Sequence, residues 1–479
     1  MDTHSTQISR AGPATVSFLL GEGQPVQANA LRFSTHQVAF EVHAPTTVLR
    51  ASEVLKELTL TVRGTVVYRG RAVIRSEINT ATGAVYDAGL EEAGWSDVKV
   101  AVGESGSVDV TREFAAFMRH TTQALRVRPE FKVAVADLQT TLAALKQWVD
   151  QIEFILPEVN SSARSKAERE ILDALRQPVL PMLSQVFDRV ESAAAALDPD
   201  VVPSHASYLQ RQIHHLVLCA PFMYRTFAKP LGYAGDYEMV NMMARDPFEG
   251  SSLFAKLLNA YFLDTAPVVA HRNRLAYLEQ MLVDEAAHAL RHTRPMRVFN
   301  LGCGPAKEVQ NFIQNSPLSD EVQFTLADFN AETLRDTGQV LRGMQTRCGR
   351  RTGIRTVQKS VSQIFKESSR ADSDFSQPQY EVVYCAGLFD YLSDMVCTRL
   401  MGIFYDMLLP GGLLVATNVD VSNPCRNWME LCVDWHLVYR DAPGMLRIAP
   451  ASAPRDAISV RSDVSGVNIF LEVRKPVHG

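Results

Sequence analysis

The apolar positions of this 479-residue chain change their period twice. Up to residue 105, the runs VQANALRF, QVAFEV, LTLTVRGTVVYRGRAVIRSEI and GAVYDAGL are rich in Val, Thr, Tyr and Phe, and several alternate apolar with polar. Gly- and Pro-bearing stretches separate them, so residues 1–105 read as a small antiparallel β-barrel or sandwich. From 106 to 290 the period becomes helical. VTREFAAFMRHTTQAL, FKVAVADLQTTLAALKQWVDQIEFIL, KAEREILDALRQPVLPMLSQVFDRVESAAAAL and SYLQRQIHHLVLCAPFMYRTFA each space apolar residues three and four apart. Pro157, Pro178 and Pro181 mark helix ends or kinks. One segment interrupts the helices: KPLGYAGDYEMVNMM, residues 229–243, where Pro230, Gly232 and Gly235 impose irregular backbone. From 291 to 479 strands alternate with helices, in MRVFNLGCG, VQFTLADFN, YEVVYCAGLFDYL, GGLLVATNV and VNIFLEVRK. That alternation predicts a parallel, doubly wound Rossmann-like sheet that binds ligands at the C-terminal edges of its strands.

Composition narrows the partners. The chain is 46% apolar and 21% charged with a net charge of −5. With no dense Lys/Arg stretch, it does not read as a nucleic-acid binder. No run approaches the roughly 20 apolar residues of a membrane span. The N-terminus lacks the basic-then-apolar order of a signal peptide, so the expectation is a cytoplasmic protein. Seven cysteines, odd in number and without paired metal-type spacing, read as free thiols, and no metal is expected.

The densest chemistry lies in VFNLGCGPAKE, residues 298–308. A buried strand that stops at Gly302 and turns into a helix brings backbone N–H groups to the sheet edge, and glycine removes the Cβ that would hold a ligand away. Asp328 ends the next strand, 24 residues after Gly304, where an acid accepts hydrogen bonds from ribose hydroxyls. Pro305 stands where a dinucleotide fold would continue toward its third glycine. LLPGGLLVATNV supplies a Pro410-Gly411-Gly412 turn into the fifth strand.

In order, these elements resemble the class I S-adenosylmethionine-dependent methyltransferases, over residues 295 to about 474. PLGYAGDYEMVNMM, VFNLGCGPAKEV, YCAGLFDYLSD and WMELCVDWHLVYRD further resemble the bacterial extracellular-factor family, synthases of 3-hydroxypalmitic acid methyl ester, a quorum-sensing signal. That likeness covers about residues 205 to 479. The first 105 residues resemble a PilZ-type barrel in strand order and length. Ser34 is retained from its acidic-serine-glycine turn, while only Arg10 precedes the first strand where an arginine pair is expected.

The resemblance implies S-adenosylmethionine as cofactor, leaving as S-adenosylhomocysteine. Asn300, Gly302, Cys303 and Gly304 would line its methionine part, and Cys303 reads as packing. Asp328 would hold the ribose beside Phe329 and Asn330, and Ala386 and Gly387 would approach the sulfonium. The acid usual after the third strand is missing; Gln358, Lys359 and Ser360 stand there instead. The implied acceptor is the carboxylate of a long-chain 3-hydroxy fatty acid. It is ionised at neutral pH and needs orientation more than a base. His215, Tyr233 and Arg211 are the expected catalytic residues. His214, Arg225, Asp236, Tyr237, Trp435 and Tyr439 are expected at the substrate.

Adjacent histidines on a helix point about 100° apart, so at most one of His214 and His215 faces a pocket. Asp236 alternatively caps the helix that starts at Tyr237. Trp428, Trp435 and Tyr439, seven and four residues apart, share a helix face and either wall the pocket or pack on the sheet. An acyl carrier protein or the inner membrane surface fits as partner, and the long early helices suit a homodimer. Two other readings stay open. One is a methyltransferase on another amphiphile or on a nitrogen, with His214 or His215 as base. The other is a nucleotide-sensing signalling protein with a vestigial methyltransferase fold.

Overall fold

The computed structural model describes residues 14–19, 25–42, 49–62, 65–79, 84–95, 127–156, 161–290, 295–370, 375 and 377–477. Arg10, Pro157 and the helix expected over 110–125 lie outside the described residues. The chain divides into two compact units. One comprises Met1–Ala234, Phe248–Tyr261 and Cys425–His436; the other comprises Gly235–Pro247, Phe262–Pro424 and Leu437–Gly479.

In the first unit six strands close into a barrel: β1 (Ala14–Leu19), β2 (Pro25–Phe33), β3 (Gln37–Val42), β4 (Val54–Val62), β5 (Thr65–Asn79) and β6 (Ala84–Leu90). Their order is β1-β2-β3-β6-β5-β4, and β1 pairs antiparallel with β4 to complete the ring. Alternation drives the closure. Val38, Phe40 and Val42 of β3 are buried while the residues between them stay partly exposed, each inward side chain stabilising by about 1.5–3 kcal/mol. The long apolar stretch 58–78 splits into β4 and β5, and β1 adds a strand to those expected. Ser34 turns the β2–β3 hairpin, donating its N–H to Gln37 O at 2.7 Å.

The helices α1 (Pro129–Ile155) and α2 (Ser161–Ala194) follow. α1 buries Phe131, Val135, Leu138, Leu142, Leu145 and Val149, the expected three-and-four spacing. Pro178 and Pro181 do not end α2, which runs through both. Each removes a hydrogen bond to the carbonyl four residues back. Both prolines, with Ala174 and Gln177, lie on the exposed face, where a carbonyl without its helical partner is least costly, while Val179, Leu180, Leu183 and Phe187 hold the buried face. The stretch SYLQRQIHHLVLCAPFMYRTFA is two helices, α3 (Val202–Val217) and α4 (Pro221–Ala228). Pro221, at the first turn of α4, starts the second helix, so Arg225 is not on the helix of the two histidines.

In the second unit seven strands form one sheet: β7 (Met296–Leu301), β8 (Val322–Asp328), β9 (Gly353–Gln358), β10 (Tyr380–Cys385), β11 (Leu408–Val419), β12 (Ile458–Ser462) and β13 (Asn468–Arg474). The order is β12-β13-β11-β10-β7-β8-β9. β7 to β11 are mutually parallel in the reversing order of a doubly wound sheet. The sheet is nevertheless mixed, because β13 is antiparallel to both β11 and β12. The connection from Ser462 to Asn468 is too short for a parallel crossover, so a hairpin is the physical outcome.

Before the sheet come α5 (Tyr237–Ala244), α6 (Leu253–Leu263, shared with the first unit) and α7 (Ala266–Ala289). Leu278, Met281, Leu282 and Ala286 of α7 pack into the sheet core with Val298, Phe324, Val382 and Val415. α7 runs antiparallel to the parallel strands. Glu285, near its end, pairs with Arg474 at 2.6 Å beside Gly411, at the strand-entry side. The start of α7 therefore stands at the C-terminal edge, where the site is built.

Candidate functional site

Strand β7 ends at Leu301, and the backbone then makes three left-handed steps, at Gly302 (φ 68°), Gly304 (φ 50°) and Ala306 (φ 50°). Glycine takes such angles freely. A Cβ on Gly302 would also stand 3.2 Å from Leu388 Cβ, whereas nothing among the described residues lies within 4 Å of a Cβ on Gly304. One glycine thus admits a protein neighbour and the other leaves open space. Helix α8 (Lys307–Asn315) begins directly after the turn, with no side-chain cap on its first N–H groups.

Asp328, buried at the end of β8, fastens this turn. Its Oδ2 accepts the Gly304 N–H at 3.2 Å and its Oδ1 accepts the Asn330 N–H at 2.9 Å. Asn330 caps helix α9 (Ala331–Cys348) by accepting the Thr333 N–H at 3.0 Å. Along the strand edge Gly302, Gly304, Phe329, Asn330, Ala386 and Gly387 are partly exposed, while the strand ends beneath them are buried. Gly387 (φ 94°) donates its N–H to Thr417 Oγ1 at 3.2 Å, which ties the β10 turn to β11. The expected cofactor residues thus share one edge of one sheet, with Asn300 and Cys303 buried below it. Burial pushes the Cys303 thiol well up, in keeping with packing.

Below the turn lies a residue the sequence reading missed. Glu308, buried in the first turn of α8, accepts from Tyr384 Oη at 2.7 Å and from Asn300 Nδ2 at 3.2 Å. Burial raises its pKa, and the Tyr384 bond opposes the rise. After β9, Gln358 donates through Nε2 to Phe329 O at 3.1 Å. The Ser360 side chain caps α10 (Val361–Ser368), and the Lys359 ammonium pairs with Glu367.

The interrupted segment reaches this edge from residue 235 onward. Asp236 caps α5, its Oδ1 accepting the Met239 N–H at 2.8 Å. A Cβ on Gly235 would lie 2.6 Å from Tyr391 Oη, in the turn after β10. Tyr237 donates its hydroxyl to Glu332 Oε1 at 2.9 Å, in the first turn of α9, which follows β8. Residues 235–237 therefore bridge the turns that follow the strands on either side of β7. Two strand spacings, about 10 Å, are within reach of three residues plus a tyrosine side chain.

Two buried groups at the same edge, His271 and Arg274, come from outside the motifs, and a third, Asp390, lies inside YCAGLFDYLSD without having been singled out. His271 and Arg274 interrupt the buried apolar stripe of α7 between Val268 and Ala270 on one side and Leu278 on the other. Arg274 Nη2 lies 2.6 Å from His271 Nδ1, and Nη1 lies 3.9 Å from Asp390 Oδ2. Burial raises the Asp390 carboxyl to about 6, against the pull of Arg274. Arg440 holds the turn carrying Asp390, donating to Phe389 O at 2.8 Å, Asn418 Oδ1 at 2.7 Å and Leu392 O at 2.6 Å. The only hint in the sequence was a His and an Arg three apart, where the apolar stripe 278, 281, 282 would extend backward.

The other expected residues fall elsewhere. Arg211 and His215 are exposed on α3 in the first unit. His214 Nε2 lies 2.7 Å from Cys432 O, and burial lowers its pKa. Tyr233 lies under the Arg50 guanidinium at 5.3 Å, and Arg225 sits in the last turn of α4. The expected shared helix face of Trp428, Trp435 and Tyr439 does not exist. Helix α11 (Arg426–Val433) ends at Asp434 (φ 49°), which leaves Trp435 and Tyr439 beyond it, in different units. The physical cause is Asp434 itself. Its left-handed backbone lets Trp435 donate its N–H back to Met429 O at 3.0 Å, and the Lys229 ammonium donates to the freed Val433 O at 2.9 Å, which closes the helix at that point.

No family model matches the chain, and no curated protein is similar to it at a significant level. Solved structures are similar in part. A possible exported protein from Bordetella parapertussis is 16% identical over 67% of this chain and 100% of its own, with a TM-score of 0.37. An O-methyltransferase family protein from Burkholderia thailandensis is 12% identical over 78% of this chain and 100% of its own, with a TM-score of 0.33. The magnesium protoporphyrin IX methyltransferase from Synechocystis, with bound S-adenosylhomocysteine, is 10% identical over 43% of this chain and 84% of its own, with a TM-score of 0.31. These likenesses are shallow, and the reading that follows rests on the chain's own geometry.

Proposed function

We propose that the second unit is an S-adenosylmethionine-dependent methyltransferase whose acceptor is the carboxylate of a long-chain 3-hydroxy fatty acid. The observation that carries the cofactor is the Asp328 carboxylate at the end of β8, spanning the Gly304 and Asn330 N–H groups beside β7, on whose other side the strand order reverses. An acid there meets ribose hydroxyls, and the open space over Gly304 admits the ligand beside it. The strand order supports the same reading. A dinucleotide-binding sheet runs 3-2-1-4-5-6 in parallel, whereas here an antiparallel strand separates the fifth from the sixth, the class I methyltransferase arrangement.

Bound at this edge, S-adenosylmethionine would supply an electrophilic methyl group. The chain's own work is then positional. The glycine turn and Asp328 fix the donor, and residues 235–237 exclude water from the edge. The acceptor oxygen must be held in line with the methyl group, and a carboxylate, already ionised, needs no base. A nitrogen acceptor would call for a base. His214 is committed to the Cys432 carbonyl, which favours the acid. The length and apolar character of the acceptor rest on the resemblance of the PLGYAGDYEMVNMM and WMELCVDWHLVYRD segments.

Incubation of the full chain with methyl-deuterated S-adenosylmethionine and 3-hydroxyhexadecanoate, followed by mass spectrometry, tests the reading. Labelled ester that disappears with Asp328→Ala is expected. Cofactor binding without any ester would sink the free-acid acceptor.

A further inference from the structure

The buried cluster at the start of α7 has hydrogen-bonding capacity that the fold does not use. An arginine only donates, so the 2.6 Å contact from Arg274 Nη2 makes His271 Nδ1 the acceptor and places the imidazole proton on Nε2. Burial, with Arg274 beside it, keeps that imidazole neutral. Among the described residues neither His271 Nε2 nor Arg274 Nε has a hydrogen-bond partner, although the two residues are only 9% and 8% exposed. Two buried N–H donors left unmatched within three residues of one helix cost free energy that an acceptor placed between them would recover. Asp390, the nearest acid, stands at 3.9 Å, beyond hydrogen-bond distance, and spends its Oδ1 on the Val419 N–H at 2.6 Å.

The position is as specific as the chemistry. A Cβ at residue 387 would lie 3.0 Å from Arg274 Nη2 and 3.1 Å from Nη1, so glycine at this turn is what lets the guanidinium reach it. The group required is an acceptor without protons to donate, and it faces a cation. Glu308 and Asp390 also act on the Arg274 charge, so a dianion such as a phosphate would meet two like charges. A monoanionic carboxylate, whose planar oxygens match a guanidinium fork, satisfies both conditions.

We propose that Arg274 and His271 form a carboxylate-binding site facing the Gly387 turn. The proposal rests on the methyl-transfer reading. Two molecules of that reaction bring such a carboxylate: the acid that is methylated and the amino-acid end of the donor.

Calorimetry on the full chain separates the sources. The probes are S-adenosylhomocysteine, 5′-methylthioadenosine, which lacks the amino-acid end, 3-hydroxyhexadecanoate and its alcohol, hexadecane-1,3-diol. With Arg274→Met, one carboxylate probe should weaken by about 10- to 100-fold while its carboxylate-free counterpart is unchanged. Arg274→Lys should recover part of the loss, since it keeps the charge without the fork. Weakened S-adenosylhomocysteine with unchanged methylthioadenosine assigns the donor; weakened fatty acid with unchanged diol assigns the acceptor. Unchanged affinity for both carboxylate probes overturns the site, as does equal weakening of a probe and its counterpart. A wild-type chain that binds methylthioadenosine but neither carboxylate also overturns the site and leaves the cofactor reading standing. A chain that binds none of the four overturns both.

Discussion

The Tyr237 hydroxyl donates to Glu332 at 2.9 Å, joining the segment before the sheet to the turn that follows Asp328. Burial and the neighbouring Glu332 raise the phenol to about 12, so it stays a donor throughout the neutral range. Tyr237→Phe removes this tie at an exposed site, so the stability change should stay below about 1 kcal/mol. Donor dissociation should instead quicken by roughly 3- to 10-fold, as expected when about 1 kcal/mol of closure is lost. Stopped-flow release of S-adenosylhomocysteine reads it, and an unchanged rate would show that residues 235–237 do not cover the donor.

Gly304 and Gly302 should respond differently to alanine. At 304 the cost to folding is the left-handed backbone alone, roughly 1–2 kcal/mol, because nothing crowds the new methyl. The methyl then occupies the open space over the turn, so donor affinity should fall more than 10-fold. At 302 the same substitution also presses on Leu388 and should destabilise more. Paired melting and binding curves decide it. Retained donor affinity in Gly304→Ala would remove that glycine from the site.

Asp390 sets a pH dependence. Its carboxyl is raised by burial to about 6, from an unfolded value near 4, so its ionisation opposes folding. Its stabilising contribution is complete below pH 4 and is lost as pH rises through 6. The total is about 3 kcal/mol. Asp390→Asn keeps an acceptor for the Val419 N–H and does not titrate. Wild type should therefore gain stability relative to this variant as pH falls from 7 to 4. A gap that stays flat across that window would contradict the assignment.

Arg440 is expected to be a positioning residue. It is 3% exposed and binds two carbonyls of the Phe389–Leu392 turn together with Asn418. Arg440→Met removes these hydrogen bonds together with the 2.8 Å pair to Asp394, and should cost about 3–5 kcal/mol in denaturant unfolding. Lysine cannot reproduce the fork, so Arg440→Lys should recover only part. Full stability in the methionine variant would show that the turn holds itself.

Periodicity, a local property, was enough to place most of the barrel strands, most helices and the parallel strands of the sheet. The glycine turn and Asp328 were legible for the same reason, since left-handed backbone and a strand-ending acid leave marks within a few residues of the chain. Helix continuity at Pro178 and the early stop at Asp434 were not legible, because the exposure of one helix face and a lysine from far along the chain, capping the Val433 carbonyl, decide them. The hairpin direction of β13 follows from a short loop, yet its insertion beside β11 is a matter of pairing.

The sequence alone determined that a glycine-and-acid edge exists. Which buried charges gather at that edge was decided only in three dimensions. Arg274, His271, Glu308 and Asp390 come from helices and turns far apart in the chain, and each looks locally like an ordinary surface residue. Their meaning appears once packing removes water and leaves donors facing one turn, because desolvation turns a scattered set of polar side chains into a site.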